Sequence, residues 1–156
     1  LTVANTSNVP LESFFWHDKI PYDVARPTTL TTGTYSARPN YRILYKTNYN
    51  ASYQVLASNL LTGNNYSFAL NAIPMQAGEV VTDIYFDFGK VPVGFQSTVN
   101  PTLSVMVNGN AVNGYQMVKR ADVGGRYQGT WQTATANWVT SIRRLWNAPT
   151  LPKTGH

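Results

Sequence analysis

Hydrophobic and polar residues alternate with period two along nearly the whole chain, and the alternating runs are rich in β-branched and aromatic residues. They predict short strands over residues 1–6, 13–20, 28–36, 41–46, 52–57, 66–70, 79–88, 101–107, 111–119, 126–133 and 137–146. Turn residues punctuate them, as in Ser7-Asn8-Val9-Pro10 and Gly63-Asn64-Asn65. Two hairpins are expected, one across Thr47 to Asn50 and one across Asn108-Gly109-Asn110. No amphipathic helix of useful length is visible, and residues 72–77, interrupted by Pro74, supply at most one turn. In the longest run Val80, Thr82, Ile84, Phe86 and Phe88 share the core face, while Glu79, Val81, Asp83, Tyr85 and Asp87 share the other. Strands of this length and spacing predict an all-β fold, an antiparallel Ig-like β-sandwich over residues 1–147. Residues 148–156, with two prolines, read as a linker and a disordered C-terminal tail.

Composition narrows the class. A chain of 156 residues makes one domain. Only 12% of its residues are charged and none is cysteine, which fits an extracellular β domain held by packing or by a crosslink other than a disulfide. The net charge of +5 is spread singly, with Lys119-Arg120 and Arg143-Arg144 the only adjacent pairs. No basic helix, RNA-binding aromatic signature or zinc spacing accompanies it, so nucleic acid is not an expected partner and an anionic surface is. No stretch approaches the roughly 20 apolar residues of a membrane helix, and no signal peptide opens the chain.

Catalytic chemistry is thinly represented. His17 is the only histidine besides His156, there is no cysteine nucleophile, and no Gly-x-Ser-x-Gly elbow occurs. Asp83 and Asp87, about 13 Å apart along one strand, are too far apart for a glycosidase pair and read as a solvated acidic face. The expectation is a protein without enzymatic site, metal or cofactor. Four Trp and ten Tyr raise a binding reading, with Trp16, Trp131 and Trp138 as candidate ligand-stacking aromatics. Their alternative role is in the core and in strand pairing.

Two segments resemble known proteins. Leu151-Pro152-Lys153-Thr154-Gly155 is similar to the LPxTG pattern recognised by sortases, the transpeptidases that fasten proteins to the Gram-positive cell wall. Pro152 biases Leu151 to an extended conformation, and Gly155 leaves the Thr154 carbonyl open to approach. The resemblance implies that Leu151, Pro152, Lys153, Thr154 and Gly155 are read by sortase. Thr154 would then be the acyl donor and the amine of a peptidoglycan precursor the acceptor. A full sorting signal continues into an apolar span and a basic tail, and Leu1 reads as mid-strand, so the chain is expected to be a piece of a longer secreted precursor.

The opening Leu1-Thr2-Val3-Ala4-Asn5-Thr6-Ser7-Asn8-Val9-Pro10-Leu11, with Asp18-Lys19-Ile20-Pro21, resembles conserved-repeat domains of bacterial surface proteins, related to CnaA-type β-sandwiches. That likeness covers the first twenty or so residues. It implies an intramolecular Lys–Asn isopeptide bond assisted by a buried acid, since burial favours a neutral lysine and a protonated carboxyl. Asp18 falls where the resemblance puts the acid, and Asn137 is the natural asparagine. Lys46 is the substitute for a lysine whose strand the chain lacks. The alternative is ordinary: Asp18 caps a turn, Lys46 is an exposed sheet lysine, and Asn137 bonds to backbone.

The expected function is that of a structural, wall-proximal stalk domain of an adhesin or other surface protein, extracellular and covalently anchored to the cell wall. Its partners would be sortase and the peptidoglycan precursor, with a host glycan or matrix protein bound through the full-length protein. The alternative is a carbohydrate- or host-protein-binding module of the same surface protein.

Overall fold

A computed structural model describes the backbone of residues 3–37, 39–107 and 116–141, and the side chains of residues 3–37, 39–106 and 121–132. The described chain is almost entirely strand: β1 (Leu11–Lys19), β2 (Ala25–Thr31), β3 (Thr34–Tyr35), β4 (Asn40–Thr47), β5 (Asn50–Leu61), β6 (Ser67–Ala69), β7 (Val81–Val91), β8 (Ser97–Val99), β9 (Thr102–Val107), β10 (Gln116–Tyr127) and β11 (Thr130–Ser141). A single 3-10 turn, Leu70–Ala72, is the only helical element among the described residues. Six strands form one sheet in the order β11-β10-β1-β7-β4-β5. Against it lie two smaller sheets, β6-β2-β9 and β3-β8, and all the described ladders are antiparallel. The fold is an antiparallel β-sandwich.

One aromatic-rich core joins the layers. The large sheet contributes Leu11, Phe14, Trp16, Tyr41, Ile43, Ile84, Phe86 and Phe88, and the facing layer contributes Leu30, Tyr35, Leu70, Phe95 and Leu103. Trp16 meets Phe86 edge-on at 4.6 Å, and Tyr35 stacks on Phe95 at 5.6 Å. Quadrupole-matched contacts of this kind add to the area that the rings bury.

Several sequence expectations are corrected. Residues 1–6 do not pair as a strand within the described part; only the Ala4–Gln96 bridge forms. There Asn5 is buried and works as a clasp. Its Nδ2 donates to the carbonyls of Val9 and Pro92, and its Oδ1 accepts from the backbone N–H and the hydroxyl of Ser7. Residues 28–36 divide into β2 and β3, because Gly33 turns the chain with φ +73°, and a Cβ there would run into the Val99 carbonyl. The stretch 101–119 is not a hairpin: β9 pairs with β2, whereas β10 pairs with β1 and β11, in a different sheet. β10 runs on through Gly124-Gly125 and turns at Gln128-Gly129, both at positive φ, so residues 126–133 lie on both sides of a two-residue hairpin loop. The hairpin across Thr47 to Asn50 forms as expected, Thr47 opposing Asn50. Ile84, Phe86 and Phe88 also face the core, although Val81 is buried with them. The expected strand end at 142–146, the Arg143-Arg144 pair and the whole of 148–156 lie outside the described residues.

Candidate functional site

A β-bulge decides which way the first strand's chemistry points. Ser13 adopts φ 52°, and the β1 ladders shift register around it, so Leu11 and then Phe14, Trp16 and Asp18 turn inward. Asp18 is fully buried on the core face of the large sheet. Lys46, on β4, pairs in register with Asp83 and places its Nζ 4.5 Å from the centroid of the Tyr53 ring, on the opposite, outer face. The structure therefore does not bring Lys46 and Asp18 together. Asn137 lies on β11 opposite Arg120, and its side chain is outside the described residues.

The candidate aromatics separate as well. Trp16 is 1% exposed and belongs to the core, which corrects its assignment as a ligand-stacking residue. Trp131 is 49% exposed at the edge of the outer face. Trp138 opposes Lys119 in the β10–β11 ladder, its side chain outside the described residues. The sorting residues Leu151, Pro152, Lys153, Thr154 and Gly155 are likewise outside them.

The outer face of the large sheet carries the chemistry that the alternation pattern left unassigned. A row of rings crosses it: Trp131 meets Phe15 edge-on at 6.0 Å, Phe15 stacks on Tyr85 at 5.3 Å, and Tyr85 meets Tyr53 at 5.3 Å. Gly124 opposes Phe15 and adds no side chain where β10 crosses this row. Phe15 and Tyr85 lie face to face, within 8° of parallel, and Trp131 stands at 80° to Phe15. These rings cover one another and do not form the coplanar platform on which a sugar would stack.

Beside the row, His17 sits between two carboxylates. Its Nε2 lies 2.6 Å from Asp83 Oδ2 and its Nδ1 lies 3.3 Å from Asp122 Oδ2, so the side chains of β7, β1 and β10 are tied in one line. The Thr82 hydroxyl donates to the other Asp83 oxygen. Burial pushes the Asp83 carboxyl up, but the hydrogen bonds from His17 and Thr82, with the positive charges of His17 and Lys46, outweigh it and hold the group below its ordinary value. Asp87 in turn accepts from Arg42 Nε at 2.9 Å. The acidic face read from the sequence as solvated is thus partnered, and Asp83 is nearly buried. Both His17 nitrogens are engaged by carboxylates, an arrangement that joins strands and leaves no ring nitrogen to activate a hydroxyl.

A shallow cleft of about 240 Å³ lies between Asn40, Arg42, Asn59 and Asp87, where the Arg42–Asp87 ion pair forms one wall. Among the described residues no group of three or more His, Asp and Glu is placed to hold a metal ion, and no helix is long and apolar enough to cross a membrane. Compared with known proteins, the chain matches no family model, no curated protein and no solved structure.

Proposed function

We propose that the chain is a structural domain of a cell-wall-anchored bacterial surface protein, a stalk that holds the rest of the precursor away from the wall. The observation that carries this reading is the Leu151-Pro152-Lys153-Thr154-Gly155 pentapeptide, ten residues in sequence after Ser141, the last described residue of β11. In the proposed reaction the sortase nucleophile attacks the Thr154 carbonyl and the Thr154–Gly155 amide breaks, releasing the glycine amine. The wall-precursor amine then displaces the enzyme to form a new amide. A sandwich without cysteine, in which the described outer-face groups His17, Asp83, Asp122, Arg42 and Asp87 are paired with one another, supports a load-bearing role over a catalytic one. Incubation of the chain with a sortase and an amine nucleophile tests it. Ligation at Thr154 is expected, with loss of Gly155-His156, and Thr154→Ala and Pro152→Ala should abolish the product. Failure of the unsubstituted chain to ligate would remove the anchoring claim.

A second reading, a glycan- or protein-binding module, draws on the half-exposed Trp131 at the end of the ring row. Glycan-array binding that disappears in Trp131→Ala would favour it over the stalk.

A further inference from the structure

β4 separates β7 from β5 in the large sheet, yet a ring from each of these neighbours reaches across it. Leu44 of β4 opposes Tyr85 on one side and Val55 on the other. From the two flanking strands Tyr85 and Tyr53 meet on the outer face, their ring centroids 5.3 Å apart at an interplanar angle of 55°. Both residues are partly exposed. Phe15 stacks on Tyr85 and the Lys46 ammonium lies over Tyr53, contacts that use the faces of the two rings rather than their edges. The phenol groups feel one another: burial first, then the negative charges of Asp83 and Tyr85, raises the Tyr53 hydroxyl above its ordinary value. One other pair of tyrosines meets among the described residues, Tyr35 and Tyr41 at 5.9 Å, and it is sealed in the core.

We propose that Tyr53 and Tyr85 form an oxidative crosslinking site, joined as dityrosine when the folded chain meets a one-electron oxidant such as a haem peroxidase supplied with hydrogen peroxide. Each phenol gives up one electron and one proton and becomes a neutral phenoxyl radical, its unpaired electron shared with the ring carbons ortho to the oxygen. A bond forms between one ortho carbon of each ring. The hydrogen on each of those carbons then moves to its own oxygen and restores the phenol. Hydrogen peroxide takes up the two electrons and two protons and leaves as two waters, so the protein loses two hydrogen atoms in all. Solvent reaches this pair, unlike Tyr35 and Tyr41, and the rings already in contact make the coupling an intramolecular step. The bond fastens β5 to β7 over the top of β4 and closes residues 53–85 into a loop. That limits the unfolded chain as a disulfide does, in a chain without cysteine. The site stands independently of the anchoring reading, since neither tyrosine takes part in ligation at Thr154.

Treatment of the dilute, folded chain with a haem peroxidase and hydrogen peroxide tests the proposal. The expected product is a monomer with dityrosine fluorescence, in which peptide mapping joins Tyr53 to Tyr85 with the loss of two hydrogen atoms and whose thermal midpoint is raised. Its yield per chain should not fall on further dilution. Tyr53→Phe and Tyr85→Phe, which keep the rings and remove the phenols, should each abolish it. Tyr22→Phe, at an exposed tyrosine between β1 and β2, should leave it unchanged. An intramolecular dityrosine that persists in Tyr53→Phe overturns the proposal, as do crosslinks found only between chains and oxidation that yields no crosslink. The same treatment in urea should lose the preference for this pair. A preference that survives unfolding would also overturn the proposal, because it would owe nothing to the fold.

Discussion

Asp18 and Lys46 lie on opposite faces of one sheet, two strand positions apart, Asp18 on β1 within the core and Lys46 on β4 over the Tyr53 ring. An acid that assists amide formation has to touch both the lysine and the asparagine, so a crosslink using this pair would require β4 to turn over. Lys46 is therefore expected to remain a free amine. Amine-directed labelling of the folded protein followed by peptide mapping should modify it, and a peptide joining Lys46 to Asn137 with loss of ammonia would sink this expectation. Lys46→Met should cost no more than about 1 kcal/mol in chemical denaturation, the scale of one cation–π contact with an exposed flank.

Trp16 and Trp131 should behave as different kinds of residue. Trp16→Ala removes a ring packed on Phe86 in a closed core and is expected to cost about 3–5 kcal/mol. Trp131→Ala, half exposed, should stay within about 1 kcal/mol. Urea titrations of the two variants decide it. Comparable losses at both positions would mean that the outer-face row is as structural as the core.

Acid and alkali should each destabilise the fold through identifiable groups. Asp83 titrates below its ordinary value of 3.8 in the folded chain, so the unfolded chain takes up its proton first. Its stabilising contribution is present above that value and is lost as pH falls through the lower, folded value. Asp83→Asn should cost about 2 kcal/mol at neutral pH and flatten the acid limb of the stability curve. On the alkaline side, burial pushes Tyr41 up to about 12 and raises Tyr35, Tyr53 and Tyr85 as well. Unfolded tyrosines ionise near 10. The folded state holds these protons, and stability is expected to fall as pH rises above about 10. Near-ultraviolet absorbance should then show phenolate appearing together with unfolding; tyrosines that ionise at 10 with the fold intact would contradict the burial argument.

The Asn5 clasp should count for more than a loop residue usually does. Asn5→Ala removes the acceptor of the Ser7 N–H and one of two donors to each of the Val9 and Pro92 carbonyls, which keep the Ser7 hydroxyl and the Phe95 N–H, and is expected to cost about 1–2 kcal/mol, read by thermal unfolding. Asn5→Asp, which keeps the acceptor and loses the donor, should recover part of it.

What the sequence made legible were local regularities. Period two placed Ile84, Phe86 and Phe88 in the core, and Thr47 to Asn50 announced its hairpin. What it hid were the places where period two is broken. The bulge at Ser13 lets Leu11 and Phe14, an odd number of residues apart, both turn inward, and nothing in Glu12-Ser13-Phe14 signals an extra residue in the ladder. The partners of β9 and β10 were hidden for a different reason. Adjacent strands in sequence can belong to different layers, and only long-range packing decides between a hairpin and a crossover. The His17 line was concealed in the same way: its three members are separated by 66 and 105 residues, and only the β1–β7 and β1–β10 registers bring them side by side.

The order of the large sheet also sets how tension would travel. β1 enters beside Arg126 and Trp131, while the described part of β11 runs to Ser141 opposite Gln116, toward the other end of the same three strands. A pull on the chain from these two exits acts along the strands in opposite senses. Antiparallel ladder bonds run across the strand axis, so such a pull slides β11 past β10 and engages their twelve described register pairs together rather than parting them one after another. Single-molecule extension through the two exits should accordingly show one high rupture for the sheet. A staircase of small releases would mean that the ladder peels.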